Sequence, residues 1–396
     1  MRHRTPPPIR IATSLLVLSS LLAGCGGAAD KEPTTSPPAV VPPGPLSVSF
    51  TSPVTANNVH DVGISIPLQV SVTVNGSPAS NGTAVTLSTS ASVSLAPVVP
   101  TTTGGSATSV LKSTAAGPLV LNATVTSTTH SANDSLKLYI RPAHQPLEVL
   151  VPAYFSTGTD SPWTSLVAGA NSYPNVKITA IVNPHGGVLT TATTANTDLV
   201  TALASFKSSQ RKAIGYVSTL YGNGTRSEAD VKATIDKYLA LYPTLDGFFL
   251  DEMASSANRL AHYEAIGSYI KSKNSALVVI GNPGVFPDAG YAGAADVLVT
   301  FDGTAAAYQV LDPQQSSNTW VYSKANTAQA MLVHSADTCT AMQDAVKAAN
   351  TARSNTGLVY ATDQTTNRSA DKLPTYWIKL LGTVDALNAG RTLPAC

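Results

Sequence analysis

The apolar positions of this chain fall into two textures that meet near residue 141. From residue 46 to about 140, short runs alternate apolar and polar residues: Leu46–Phe50, Ile64–Val74, Ala84–Leu87, Ser92–Leu95, Thr108–Leu111, Leu119–Val125 and Leu136–Ile140. Gly, Asn, Pro and Ser separate them. Successive side chains of a strand point to opposite faces, so this alternation sets one face on a core and the other in water. Short strands at this spacing predict an all-β sandwich over 46–141. After Arg141-Pro142 the runs become continuously apolar and alternate with helical stretches. Strands are predicted at Leu147–Phe155, Lys177–Asn183, Lys212–Thr219, Gly247–Glu252, Ala276–Asn282, Asp296–Asp302, Met331–Ser335 and Leu358–Asp363. Helices between them include Asp198–Lys207, Glu228–Leu241, Arg259–Lys271 and Ala336–Ala349, and Thr375–Leu387 follows the last strand. A fully apolar strand is buried on both faces, as in a parallel sheet. Eight strand–helix units in about 250 residues predict a (β/α)8 TIM barrel over 146–396. An open doubly wound sheet is the weaker choice, because no Gly-x-Gly-x-x-Gly or Walker-type loop follows the first strand. The fold class is therefore multidomain, a sandwich followed by a barrel.

In such a barrel the carboxyl ends of the strands share one rim, where chemistry is built. Reading those ends in order gives Tyr154, then Asn183-Pro-His185-Gly-Gly187, then Tyr216, Thr219 and Tyr221 around the third strand. Asp251 and Glu252 end the fourth, Asn282-Pro-Gly284 the fifth, Asp302-Gly303 the sixth, His334 the seventh, and Tyr360 with Asp363 the eighth. Each has a bland reading: Asn-Pro and Gly-Gly make turns, Tyr packs half-buried, and an acid after a strand caps the next helix. Their concentration on one rim is harder to explain that way. Two acids facing one cleft are the minimum equipment for glycoside hydrolysis, one ionised and one with a raised pKa to protonate the leaving oxygen. The tyrosines Tyr154, Tyr221 and Tyr360 offer sugar-stacking faces. Adjacent strand residues point to opposite faces, so Asp251 and Glu252 share a cleft only if the strand ends there. The turn-prone Ala254-Ser255-Ser256 supports that. No serine-nucleophile elbow or zinc-like Cys–His spacing is present, and no metal or cofactor is expected.

Composition and the N-terminus add an address. Arg2, Arg4 and Arg10 flank an apolar run, Ile11–Leu22, too short for a bilayer and suited to a secretory signal. Leu22-Ala23-Gly24-Cys25 resembles the bacterial lipobox, which predicts 1–25 as a signal peptide and Cys25 as the lipidated residue that attaches the chain to a membrane. Gly26 rather than Asp after that Cys points to the outer membrane. Residues 26–45 are Pro-rich and read as a tether. Cys339 and Cys396 remain, and an exported chain pairs such a couple. With 24 basic and 23 acidic residues and no basic patch, nucleic acid is excluded as a partner. A monomer is expected.

Residues from about Leu147 to Leu387 resemble the spherulin-4, or spherulation-specific, family. The resemblance is carried by Val151-Pro-Ala-Tyr154, Ile181-Val-Asn-Pro-His-Gly-Gly187, Gly215-Tyr-Val-Ser-Thr219, Gly247-Phe-Phe-Leu-Asp-Glu252, Gly281-Asn-Pro-Gly284, Asp296-Val-Leu-Val-Thr-Phe-Asp302 and Val359-Tyr-Ala-Thr-Asp363 with Leu373-Pro-Thr-Tyr-Trp377. It implies a TIM-barrel glycoside hydrolase, endo-acting and retaining, on an amino-sugar exopolysaccharide. The polymer would be galactosaminogalactan-like, cut at α-1,4-linked N-acetylgalactosamine, or Pel-like. It maps the acid pair onto Asp251 as nucleophile and Glu252 as proton donor. The third acid, usually Glu, falls on Asp302, which would support the site through charge or take over the acid role, and whose shorter side chain would hold the carboxylate roughly 1–1.5 Å back. Candidate substrate-binding residues are Tyr154, Asn183, His185, Tyr216, Tyr221, Asn282, His334, Tyr360 and Asp363. The departure at Asp302 keeps an alternative open: a catalytically inactive, polysaccharide-binding or adhesive surface lipoprotein. The sandwich resembles bacterial immunoglobulin-like domains and is expected to act as a spacer.

Overall fold

The computed structural model describes residues 45–158, 160–316, 318–365 and 370–396, all within one compact unit. The signal segment, Cys25 and residues 26–44 of the tether lie outside the described residues.

The N-terminal region holds the strands β1 (Leu46–Ser52), β2 (Val59–Asp61), β3 (Ser65–Val74), β4 (Ser77–Pro78), β5 (Thr86–Ser88), β6 (Val93–Ala96), β7 (Ser106–Ser113), β8 (Gly117–Thr126) and β9 (Ser131–Arg141). One sheet runs β1-β3-β7-β6, with β4 on β3; the other runs β2-β9-β8-β5. On β3, Ile66, Leu68, Val70 and Val72 are buried, while Ser65, Pro67 and Gln69 are exposed. They share one core with Leu119, Leu121, Ala123 and Val125 of β8, so the period-two pattern marks the faces as expected. The strands β2 and β4 were not foreseen, because three and two residues are too few to show a period. β2 pairs parallel with β9, the strand that precedes the barrel. There Asp61 accepts from Arg141 Nε at 2.6 Å, Arg141 reaches Asn355 Oδ1 at 3.3 Å, and Val59 packs with Val321 and Tyr322.

The barrel strands are β10 (Glu148–Pro152), β11 (Ile178–Val182), β12 (Arg211–Ser218), β13 (Gly247–Asp251), β14 (Val278–Gly281), β15 (Val297–Thr304), β16 (Gln329–His334) and β17 (Leu358–Ala361). They close in sequence order, every neighbouring pair parallel. Burial on both faces makes their runs apolar throughout: Phe248 and Phe249, on opposite faces of β13, are both inaccessible. The helices are α1 (Pro162–Ser172), α2 (Thr197–Phe206), α3 (Glu228–Leu241), α4 (Leu260–Lys273), α5 (Ala305–Gln309), α6 (Cys339–Ala349) and α7 (Trp377–Asn388). Between β14 and β15 the only helical turn is the 3-10 segment Ala289–Gly293. Cys339 and Cys396 are bonded, with Cα atoms 5.6 Å apart, so the last residue is stapled to the start of α6.

Candidate functional site

Asp251 is the last residue of β13, and its register partner is Ser218 at the end of β12. Glu252 follows with φ +52°, in the left-handed region that side chains avoid at a cost of order 1–3 kcal/mol. Its backbone is held there. Glu252 O accepts from Tyr221 N–H at 2.7 Å and from Thr219 Oγ1 at 2.8 Å. The strand has therefore ended between the two acids, which was the condition for their sharing a cleft. Tyr216 and Ser218, two residues apart on β12, face one way. Tyr216 OH donates to Asp251 Oδ2 at 2.6 Å, and Ser218 Oγ donates to Glu252 Oε2. Both carboxylates consequently lie on that same face.

The third acid joins through Asn282, in the turn after β14. Its Nδ2 donates to Asp251 Oδ1 at 2.7 Å and to Asp302 Oδ2 at 3.1 Å. Asp302 lies inside β15 rather than at its end, just past a register shift between Val299 and Phe301. Gly187 closes the site's other side: a Cβ there would come 2.5 Å from the Tyr216 ring, and φ is +82°. Tyr154 sets its ring edge-on to Tyr216, centroids 5.2 Å apart.

Desolvation raises the pKa of Asp251, while Tyr216, the Glu252 backbone and Asn282 pull it down and the Glu252 charge pushes it up again. Desolvation also raises Asp302, countered by Asn282 and His334 and reinforced by the Asp251 charge. Asp302 is nevertheless exposed. Crowding by the rim sets the direction of its shift, and solvent limits the size. Desolvation keeps the phenols of Tyr154 and Tyr216 protonated, hence donors. Among the described residues, none of the three acids has a Lys or Arg ion-pair partner.

The remaining candidates divide. Tyr221 is 56% exposed, with φ +56°, its backbone tied to Glu252. His334 ends β16 and acts electrostatically on Asp302. His185 is exposed on the turn after β11, whose shape is set by Asn183 Oδ1 accepting from Gly187 N–H at 2.7 Å. Asn183 is thus a turn-former here. Two expectations need correction. Tyr360 is only 1% exposed within the barrel core, so it offers no sugar-stacking face; β17 is buried throughout. Asp363 accepts from Gln364 Nε2 at 2.6 Å and from Thr375 Oγ1 at 2.5 Å, so its carboxylate clasps the approach to α7. Ser218 and Arg226 were missed. Ser218 was readable by alternation from Tyr216. Arg226, buried, donates to Gly187 O at 3.0 Å and to Ser218 O, pinning the end of β12 from a loop with no periodic signal.

Residues 148–384, which contain all three acids and Asn282, match the spherulation-specific family 4. The chain is 35% identical over 158 residues to Spherulin-4 of Physarum polycephalum. That stretch is 40% of this chain and 45% of the relative, so the chain spans under half the length of the curated relative it matches. Among solved structures, Aspergillus clavatus Sph3, crystallised in complex with GalNAc, overlays with a TM-score of 0.51 at 21% identity. The overlay covers 61% of this chain and 98% of that one, a likeness of fold. Because the family match spans more than half of its residues, the chain belongs to the spherulation-specific family 4.

Proposed function

We propose that the barrel is a retaining glycoside hydrolase that cuts an amino-sugar polysaccharide internally. The observation that carries this reading is the Asn282 bridge. One nitrogen bonded to Asp251 and to Asp302 holds their oxygens within about 6 Å. For that pair of oxygens this is nearer the roughly 5–5.5 Å of a covalent, retaining mechanism than the roughly 6.5–9.5 Å that leaves room for an inverting water. Asp251, with a donor on each oxygen, is the better-stabilised anion and serves as nucleophile. Asp302 is exposed and, of the donors described here, takes only Asn282, at 3.1 Å, so its anion is the less stabilised by hydrogen bonds and it serves as the proton donor. Of the two acids the family resemblance leaves for that role, Glu252 and Asp302, we choose Asp302 and give Glu252 the task of holding a sugar hydroxyl or amide beside Asp251.

The Asp302 proton passes to the glycosidic oxygen as the bond from that oxygen to the anomeric carbon breaks. Asp251 bonds the same carbon as an ester. Water then attacks the carbon, its proton goes to Asp302, and the ester bond breaks to restore both acids. The GalNAc bound by Sph3 supports N-acetylgalactosamine as the sugar unit, with α-1,4 linkage as the family-based expectation. Tyr221 provides a stacking face at the rim. The two-sheet region serves as an immunoglobulin-like spacer, and lipid on Cys25 anchors the enzyme at the outer membrane.

The test incubates the purified protein with α-1,4-linked N-acetylgalactosamine oligomers and follows reducing ends and their first anomer by NMR. New ends of retained configuration are expected. A folded protein that binds the polymer and releases no ends would overturn the reading in favour of an adhesive lipoprotein. For the anchor, Cys25→Ser should abolish labelling by palmitate; unchanged labelling would remove it.

A further inference from the structure

Asn282 is pinned before its side chain is considered. Its N–H donates to Leu250 O and its C=O accepts from Met253 N–H, both at 2.9 Å. Pro283 and Gly284 then turn the chain back. Gly284 has φ +67°, and its carbonyl accepts from Asp302 N–H at 3.0 Å. A Cβ on Gly284 would come 3.4 Å from Asp302 Cβ and 3.8 Å from Asn282 Oδ1. The turn grips Asp302 by backbone and side chain together, while the same amide holds Asp251.

An amide NH2 carries two hydrogens, and here each is directed to a different carboxyl. The reversed orientation would set the amide oxygen against two acids, so the group has one favourable pose. Its Oδ1 is buried and finds no partner among the described residues. A buried acceptor left unpaired opposes folding, and such a group calls for a reason. Commitment of the NH2 to the two acids supplies one.

We propose that Asn282 is a positioning residue that shares one amide between Asp251 and Asp302, fixing their separation and which of them gives up its proton first. Only the kinetic consequence rests on the hydrolase reading above. The sharing is unequal. Asp251 receives Asn282 at 2.7 Å and Tyr216 at 2.6 Å, whereas Asn282 reaches Asp302 at the longer 3.1 Å. Shorter donors favour the anion, so Asp251 ionises first. The other titratable groups facing the pair are Tyr154 and Tyr216, both protonated, Glu252 in the next position, and His334 beside Asp302. Among the described residues only Asn282 donates to both acids.

The test titrates the protein carrying 13C-carboxyl aspartate by NMR, without substrate, with the signals assigned through Asp251→Asn and Asp302→Asn. The acids are read as a pair with two apparent pKa values. Asn282→Ala should raise the lower value by about one unit or more, since a donor to the anion is lost. The near-isosteric Asn282→Asp should raise it further by adding a third charge in the same shape. With substrate, kcat should fall roughly 10²-fold with little change in KM, and its acidic limb should move with the titration. A merely structural role would lower Tm and leave the titration in place. If both variants are folded by circular dichroism and titrate as the parent does, Asn282 does not hold the acids. If the titrations move but the parent protein cleaves no amino-sugar polymer, the hydrolase reading fails and the hold of Asn282 on the two acids stands.

Discussion

The two ends of the barrel treat the same kind of residue in opposite ways. At the amino end, acids have lysines: Glu148 pairs with Lys177 at 3.0 Å, Asp246 with Lys207 at 3.0 Å and Asp296 with Lys271 at 2.7 Å. Asp246 and Asp296 also each accept a strand N–H at 2.8 Å, from Ala213 and from Val279. At the carboxyl end, Asp251, Glu252 and Asp302 receive hydroxyls and one amide, and among the described residues no Lys or Arg. Exposure does not separate the two ends, since both hold half-buried and exposed acids. Counter-charge does. Crowded acids without a lysine or arginine beside them lower stability, and a fold tolerates that where the charges are used. The arrangement at the amino end closes the barrel; the one at the carboxyl end leaves negative charge available to a ligand.

The sharpest way to break this comparison is to remove one acid from each end. Asp251→Asn keeps shape and loses the nucleophile, and should cut kcat by about 10⁴-fold in a reducing-end assay while circular dichroism stays unchanged. Asp246→Asn should leave kcat within about twofold, because it reaches the site only through the fold. Equal losses of activity in the two variants would erase the distinction.

Next in size is a loss of stability confined to the amino end. Asp246 takes Ala213 N–H on one oxygen and Lys207 on the other, bridging β12, the start of β13 and the end of α2. Asp246→Ala leaves a strand donor unpaired and should cost about 1–3 kcal/mol in a urea melt. A variant as stable as the parent would mean the lysine-paired acids are passive surface charge, as many such pairs are.

Why one rim was more legible than its wiring follows from the range of each signal. A doubly buried strand announces itself in four or five consecutive apolar residues, so β13 and its terminal acids could be read directly from Gly247–Glu252. Alternation would have linked Tyr216 to Ser218, although that link was not drawn. What could not be read is long-range. Asn282 lies 31 residues from Asp251 and 20 from Asp302, and nothing local marks it as a bridge between them. The left-handed turn at Glu252 has no sequence mark either, because Glu is not a residue that favours it. Tyr360 failed as a stacking face, and Asp363 turned out to bond within its own loop, for a related reason. Position near a strand end does not say whether a side chain faces cleft, core or loop, and a shift of one residue reverses the answer. The helix α1 was missed although Ser161 caps it and Pro162 opens it, both recognisable signals.

The smallest expected effect tests the cost of charge at the carboxyl end. The folded-state pKa of Asp302 is raised above its ordinary value by desolvation and by Asp251. A raised acid binds its proton more tightly in the folded state than in the unfolded one. Its contribution to stability is therefore complete below the unfolded pKa, near 3.9, and is lost as pH climbs through the folded value. An amide carries no such loss. Relative to the parent, Asp302→Asn should gain stability as pH rises from about 4 toward neutrality, with the difference disappearing in acid. Because Asp302 is exposed, screening should hold the gain to a few tenths of a kcal/mol, about a degree in Tm. Paired thermal melts at pH 4 and pH 7 measure it. A variant that is less stable than the parent at pH 7 would make Asp302 a stabilising group, and the rim would then resemble the lysine-paired end it was contrasted with.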